Sequence, residues 1–263
     1  MSISFQVGPH RIRFAGKTDV GRVRSQNEDS ILMPTEMAIG AIADGMGGHA
    51  AGDVASKIAV ETIDEFYRAT AQTGPATWPF KPPLIDIERM RMETAVKLAN
   101  SRIFETASAD AGKKGMGTTI DAIYFTQGRL YIGHVGDSRV YRVRKGQIQM
   151  MTEDHSLRND WLRMKGLSGE DVVNFPFTNV VVRALGLAEQ VNVDVVIDEY
   201  KYDDIFLLCS DGLNDMIDDN TILKVINKYD RLDSCSSKLI AAANDAGGKD
   251  NITALLVRIE RVN

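Results

Sequence analysis

The 263-residue sequence has only two cysteines, Cys209 and Cys235, and neither belongs to a CxxC pair. Its four histidines are too scattered to form a zinc box. Disulfide scaffolds and structural zinc are thereby set aside. Buried, reduced thiols are expected, with Cys209 inside the apolar run Ile205 to Cys209. No apolar run approaches the ~20 residues of a membrane span. Residues 1–13 lack the apolar core and small-residue cleavage site of a signal peptide, so a cytoplasmic protein is expected. A basic excess is missing as well: the net charge of −5 argues against nucleic-acid binding, which needs a positive field. Nucleophile and nucleotide motifs are absent. Ser210 has no Gly-x-Ser-x-Gly elbow, and the glycines at 45–48 lack the Lys-Ser/Thr of a P-loop.

What remains is an ordinary globular composition, 44% apolar and 25% charged, long enough for one large domain or two small ones. Short strands are expected at 11–19, 30–33 and 38–43, with the polar turn 21–29 between the first two. Apolar residues at helical spacing, from Val54 to Tyr67 and from Met92 to Ile103, mark two helices. Between them, residues 73–83 hold four of the seven prolines and read as a surface connector. Strands follow at 118–126, 129–135, 139–144 and 147–152, with Gln127-Gly128 and Lys145-Gly146 as hairpin turns. Residues 154–187 are weakly patterned, which in a compact domain often marks function. Alternation at Val191, Val193, Val195 and Ile197 predicts a strand wet on one face. The run 205–209 predicts a central strand, two helices follow around 222–229 and 239–243, and 252–259 is the last strand. The order lacks βαβ alternation, so antiparallel sheets with segregated helices are expected.

Acidic residues stand where these strands stop. Asp44 ends the strand 38–43, followed by Gly45, Gly47 and Gly48. Asp137 lies in the Gly136–Arg139 turn. Asp211 ends the strand 205–209 with Asp215 four residues on, and Asp250 precedes the last strand. Any one of them reads equally as a helix cap or a solvated turn. Four loops with the same Asp-beside-Gly pattern are harder to dismiss. If they converge, like charges at close range repel, and divalent cations relieve that repulsion. All-oxygen ligation favours magnesium or manganese. Two such ions can lower the pKa of a water and aim it at phosphorus. Arg24, in the turn with Glu28 and Asp29, is then the candidate for holding phosphoryl oxygens; its ordinary alternative is a surface arginine paired to those acids.

In this order the pieces Thr18-Asp19-Val20-Gly21 through Arg24, Asn27-Glu28-Asp29, Asp44 to His49, Gly117-Thr118-Thr119, Gly136 to Arg139, Ser210-Asp211-Gly212 and Lys249-Asp250-Asn251 resemble a known family. It is the metal-dependent protein phosphatase family, the type 2C serine/threonine phosphatases, in its bacterial form. The resemblance spans residues 15–257. It implies an α+β fold, a sandwich of two antiparallel β-sheets flanked by helix pairs in four layers, as a single catalytic domain over 1–263 with a flap at 154–187. It implies two manganese or magnesium ions. Asp44 would bridge them and Gly45 would offer its carbonyl. Asp211 and Asp250 would complete the first ion's ligands, and Glu28, supported by Asp29, would serve the second. Arg24 would bind the substrate phosphate. Asp137, with Asp211 and Asp215, resembles a weaker third-metal site. Phosphoserine and phosphothreonine proteins are the implied substrates of a monomeric enzyme opposing a serine/threonine kinase. One departure stands out: Met46 occupies the position where animal members often carry a histidine proposed as general acid. His49 and His155 are read as structural. A partner-binding module that keeps the fold, and a hydrolase of small phosphate esters, are the competing functions.

Overall fold

The computed structural model describes residues 2–47, 51–71, 86–165 and 182–262. His49, the proline-rich connector and the middle of the expected flap lie outside the described residues. The chain opens with β1 (Ile3–Val7) and β2 (His10–Asp19), then β3 (Asp29–Leu32) and β4 (Ile39–Met46). Helices α1 (Gly52–Thr70) and α2 (Ile87–Ala109) follow. Next come β5 (Gly117–Thr118), β6 (Ile120–Phe125), β7 (Leu130–Val135), β8 (Arg139–Arg144) and β9 (Gln147–Met150). The chain continues through α3 (Leu157–Lys165), β10 (Asp194–Asp198), β11 (Ile205–Cys209), α4 (Asp211–Asn214), α5 (Asp219–Lys228) and α6 (Leu232–Asp245), and closes with β12 (Ile252–Arg261).

The strands form two antiparallel sheets. One runs β1-β2-β12-β11-β8-β9; the other runs β10-β7-β6-β4-β3, with β5 pairing β4. Strand β11 is apolar throughout because both of its faces are covered, as a central strand requires. Phe206 and Leu208 point into the core between the sheets with Phe14, Ile132 and Val257, while Leu207 and Cys209 point outward under α5 and α6. On the other side α1 and α2 bury Ala55, Ile63, Met92 and Val96 against Ala41, Ala122 and Val135. Three apolar layers therefore hold four layers of structure, helices-sheet-sheet-helices, and the expected architecture is the observed one.

The hairpin at Lys145-Gly146 has φ of 51° and 75°, the left-handed pair that matches strand twist. Both cysteines are buried and free. Two expectations need correction. The alternation at 191–197 holds only as far as Val195: Val191, Val193 and Val195 pack against the core that α2 covers while Asn192 and Asp194 are exposed, but β10 starts at Asp194 at a sheet edge, Val196 faces the inter-sheet core, and Ile197 is exposed. Strand β1 lies in a stretch read only for the absence of a leader. Among the described residues no helix is long and apolar enough to cross a membrane.

Strand register sends the acidic positions to one end of the sandwich. Asp29 lies opposite Asp44 in the β3–β4 ladder. Cys209, just before Asp211, lies opposite both Arg139, just after Asp137, and Ala254, shortly after Asp250. The link 136–138 joins β7 in one sheet to β8 in the other, so Asp137 sits on the seam.

Candidate active site

The seam is stitched by hydroxyls around Asp29. Its Oδ2 accepts hydrogen bonds from Ser210 Oγ and Thr253 Oγ1, both at 2.7 Å, which tie β3 of one sheet to the β11 and β12 ends of the other. Its Oδ1 is buried without a hydrogen-bond partner. Asn251 performs a second stitch. Its Oδ1 accepts from the Glu28 N–H at 2.8 Å, and its Nδ2 donates to the carbonyls of Val20 and Gln26. The loop carrying Asp250 is thereby locked to the turn carrying Arg24 and Glu28. Gly212 allows the third close approach: a Cβ there would overlap the Asn251 carbonyl oxygen, so Asp211 and Asp250 are brought together by a position only glycine can fill.

Asp44 is held from behind. Thr119 Oγ1 accepts from its N–H at 2.9 Å, while its carbonyl accepts from Thr119 N–H and Thr118 Oγ1, each at 2.9 Å. Gly45 follows, and a Cβ there would stand 2.6 Å from the Glu28 carbonyl oxygen and closer still to that of Gly52. Strand β4, the Glu28 turn and the first residue of α1 meet at this glycine. The Glu28 carboxylate accepts from the Gly52 N–H and so lies at the helix's positive end; burial nonetheless lifts its pKa, against the pull of Arg24.

The electrostatics show that these acids share one field. Burial first, then the charges of Asp29, Asp211, Asp137 and Asp250, lift Asp44 well above the usual carboxylate range. Burial lifts Asp29 to about 7 against the two hydroxyls, with Asp211 and Asp250 adding to the rise. Asp137 is lifted to about 7 by burial and then by Asp211, Asp154 and Asp215. Asp211 is lifted to about 6 by burial and then by Asp250 and Asp215, while a hydrogen bond with Asp44 opposes the shift. Its Oδ1 is also buried without a partner. Asp215, at the C-terminal end of α4, is exposed at the rim and its charge reaches both Asp211 and Asp137.

Arg24 supplies the cationic counterpart. Its Nη2 donates to Asp250 Oδ2 at 2.7 Å, so its partner is Asp250 rather than the neighbouring Glu28 or Asp29, though it also feels Glu28 and Asp44. The guanidinium is half exposed. Among the described residues no three His, Cys, Asp or Glu side chains stand as a closed ligand shell: Asp250 is engaged by Arg24, and Asp211 by Asp44. The donor set still fits divalent cations. It is all oxygen, it includes two buried unpartnered carboxylate oxygens, and burial with the added repulsion among Asp29, Asp44, Asp137 and Asp211 disfavours their charged forms, a penalty that positive charge relieves.

All nine expected site residues, Arg24, Glu28, Asp29, Asp44, Gly45, Asp137, Asp211, Asp215 and Asp250, are thus gathered at this end. Sequence reading gave no role to Thr119, Ser210, Thr253 or Asn251. Serine and threonine carry no spacing signal of their own. Only their place inside the quoted motifs, Thr119 beside Gly117 and Ser210 beside Asp211, marked three of the four positions.

The model of the protein phosphatase 2C family matches residues 22–256. The serine/threonine phosphatase Stp of Listeria monocytogenes is 36% identical over 244 residues, covering 92% of this chain and 93% of its own. The crystal structure of the Mycobacterium tuberculosis serine/threonine phosphatase PstP/Ppp superposes with a TM-score of 0.82 at 32% identity, over 95% of this chain and 99% of that one. A PstP catalytic-domain structure in complex with two manganese ions matches at 31% identity with a TM-score of 0.80, again over 95% and 99% of the two chains. With the acid cluster, the two-sheet sandwich and these likenesses in agreement, the chain belongs to the protein phosphatase 2C family.

Proposed function

We propose that this protein hydrolyses phosphoserine and phosphothreonine in proteins, with water activated at a centre of two manganese or magnesium ions, and opposes a serine/threonine kinase. The observation that carries the reading is the convergence of Asp29, Asp44, Asp137 and Asp211 at one end of the sandwich, where burial first and neighbouring acidic charges second lift all four carboxyls. Asp44, Asp211 and Asp250 would hold one ion, and the Gly45 carbonyl would serve one of the two. Asp44 and Glu28, supported by Asp29, would hold the other, and Asp137 with Asp211 and Asp215 a weaker third. When bound, such cations polarise phosphoryl oxygens and lower the pKa of water. The rest falls to the chain. Thr118 and Thr119 fix the backbone of Asp44, Ser210 and Thr253 fix the Asp29 carboxylate, and Arg24, released from Asp250, orients the phosphate by charge-assisted hydrogen bonds. Met46 has no dissociable proton, so it cannot protonate the leaving oxygen. A cytoplasmic monomer acting on phosphoproteins that include a kinase completes the proposal, and these last elements rest on the family resemblance.

The test is release of phosphate from a phosphothreonine peptide with manganese and then with chelator. Turnover that needs manganese is expected, and Asp44→Asn and Asp211→Asn each lower it by orders of magnitude with unchanged circular dichroism. Turnover indifferent to chelator, or none in either condition, overturns the reading.

A further inference from the structure

His155 plays no part in the chemistry above, yet it is only 3% exposed and saturated with hydrogen bonds beside the Asp137 turn. The backbone of Gly136 is bound to it twice. The His155 N–H donates to the Gly136 carbonyl at 2.7 Å, and the Gly136 N–H donates to His155 Nδ1 at 3.0 Å. The second bond requires a lone pair on Nδ1, so the ring proton resides on Nε2. From there it is donated to Asp194 Oδ2 at 3.0 Å. Asp194 Oδ1 takes Arg183 Nη1 at 3.1 Å. Arg183 Nη1 also stands 2.9 Å from His155 Nε2; since both atoms carry hydrogen, the shared carboxylate holds that pair together. The ring packs tilted by 39° against His134 at 4.6 Å, itself fixed by Asp121 at 2.8 Å and the Glu153 carbonyl at 3.0 Å. Burial, then the neighbouring His134, pushes His155 down to about 4, which agrees with a neutral ring.

The same residue gathers a second stretch of chain. Its carbonyl accepts from Val182 N–H at 2.9 Å. Three residues on, Leu185 exchanges two backbone bonds with Thr118, at 3.1 and 2.8 Å, and the Thr118 hydroxyl holds the Asp44 carbonyl. Residues 182–185 therefore brace the carriers of both Asp137 and Asp44.

We propose that His155 is a positioning residue: its Nδ1 lone pair and Nε2–H tie the Gly136–Asp137 turn to Asp194 and Arg183, and so set the orientation in which Asp137 meets a divalent cation. This rests on the reading of Asp137 as a ligand, and the test separates the two. Manganese binding to the full chain is counted by electron paramagnetic resonance of the free ion, a readout independent of turnover. Asparagine places an amide oxygen near the Nδ1 position and keeps an acceptor for Gly136 N–H; glutamine reaches toward the Nε2 position and does not. Asp137→Asn should abolish the weaker class of sites. His155→Gln should weaken that class about tenfold or more and leave the tighter class unchanged, whereas His155→Asn, which keeps the Gly136 bond but gives up the Nε2–H link to Asp194, should weaken it only severalfold, as Asp194→Ala does. Asp194→Ala, at a side chain 49% exposed, tests the tether without disturbing the interior and should weaken the same class severalfold. Parent-like binding by His155→Gln or Asp194→Ala overturns the tether, as does equal weakening by both His155 variants. Unchanged binding by Asp137→Asn overturns the ligand reading, and the tether falls with it.

Discussion

Arg24 faces two demands on its single charge. It is bonded to the Asp250 carboxylate at 2.7 Å, and the proposed chemistry asks it to hold a phosphate. A cation sharing Asp250 competes with the guanidinium for the same oxygen, so the two roles are coupled with a definite sign. Arg24→Ala should raise KM for a phosphopeptide, because a charge-assisted contact is lost. It should also lower the manganese concentration needed for half-maximal activity, because a positive charge beside the site is removed. Steady-state kinetics over a manganese series reads both; a rise in the manganese requirement would show that Arg24 supports the cation instead of competing with it. Asp29 answers to a different logic. Its Oδ2 serves two hydroxyls while its Oδ1 has no partner. Asn can keep the first role but not the charge, so Asp29→Asn should fold and lose about 10–100-fold in activity, as supporting residues of metal sites commonly do.

At the scale of elements, the site depends on how closely strand ends and helix starts can approach. Gly45→Ala should move α1 away from β4 and the Glu28 turn, since the added Cβ meets backbone on two sides. Backbone yields less than a flexible side chain, and such overpacking costs about 1–3 kcal/mol, which urea unfolding would measure. That glycine was legible in the sequence as a place of close approach, as were the strand ends bearing Asp44 and Asp211, because an apolar run stopping at or just before Asp-Gly is a local pattern; Asp250 is legible from the glycine turn just before the last strand. Which residue Arg24 would pair with was not legible. The pairing with Asp250 arises from a fold that brings positions 24 and 250 together, and no local spacing encodes it. Strand β1 is written in the sequence as the period-two alternation of Ile3, Phe5 and Val7, the half-buried face of an edge strand. The β10 alternation misled for a physical reason: at a sheet edge neither face is fully enclosed, so apolar spacing there reports no single core. The hydroxyl stitches across the seam lie beyond any periodicity, since Ser210 and Thr253 face Asp29 only once the two sheets are stacked.

For the whole molecule, the acid cluster makes stability depend on pH in a direction that can be worked out. Asp29 and Asp137 are lifted from 3.8 to about 7, Asp211 to about 6, and Asp44 is also lifted well above its usual value. A carboxyl with a raised folded pKa keeps its proton when the unfolded chain has already lost it, so between about 4 and about 7 the folded state binds more protons. Stability then falls as pH rises through that window. His155 acts oppositely: lowered to about 4 from 6.5, it adds stability as pH rises from 4 to 6.5. One histidine is outnumbered by the carboxyls, so in chelator the melting temperature should fall between pH 5 and pH 8. Manganese should reverse this, because cations replace the protons that hold the acids together and bind more tightly as those protons leave. The rise in melting temperature on adding manganese should therefore be larger at pH 8 than at pH 5. Thermal unfolding followed by circular dichroism at the two pH values, with and without manganese, measures it. Equal shifts at both pH values would mean that acids drawn from both sheets do not act as one site.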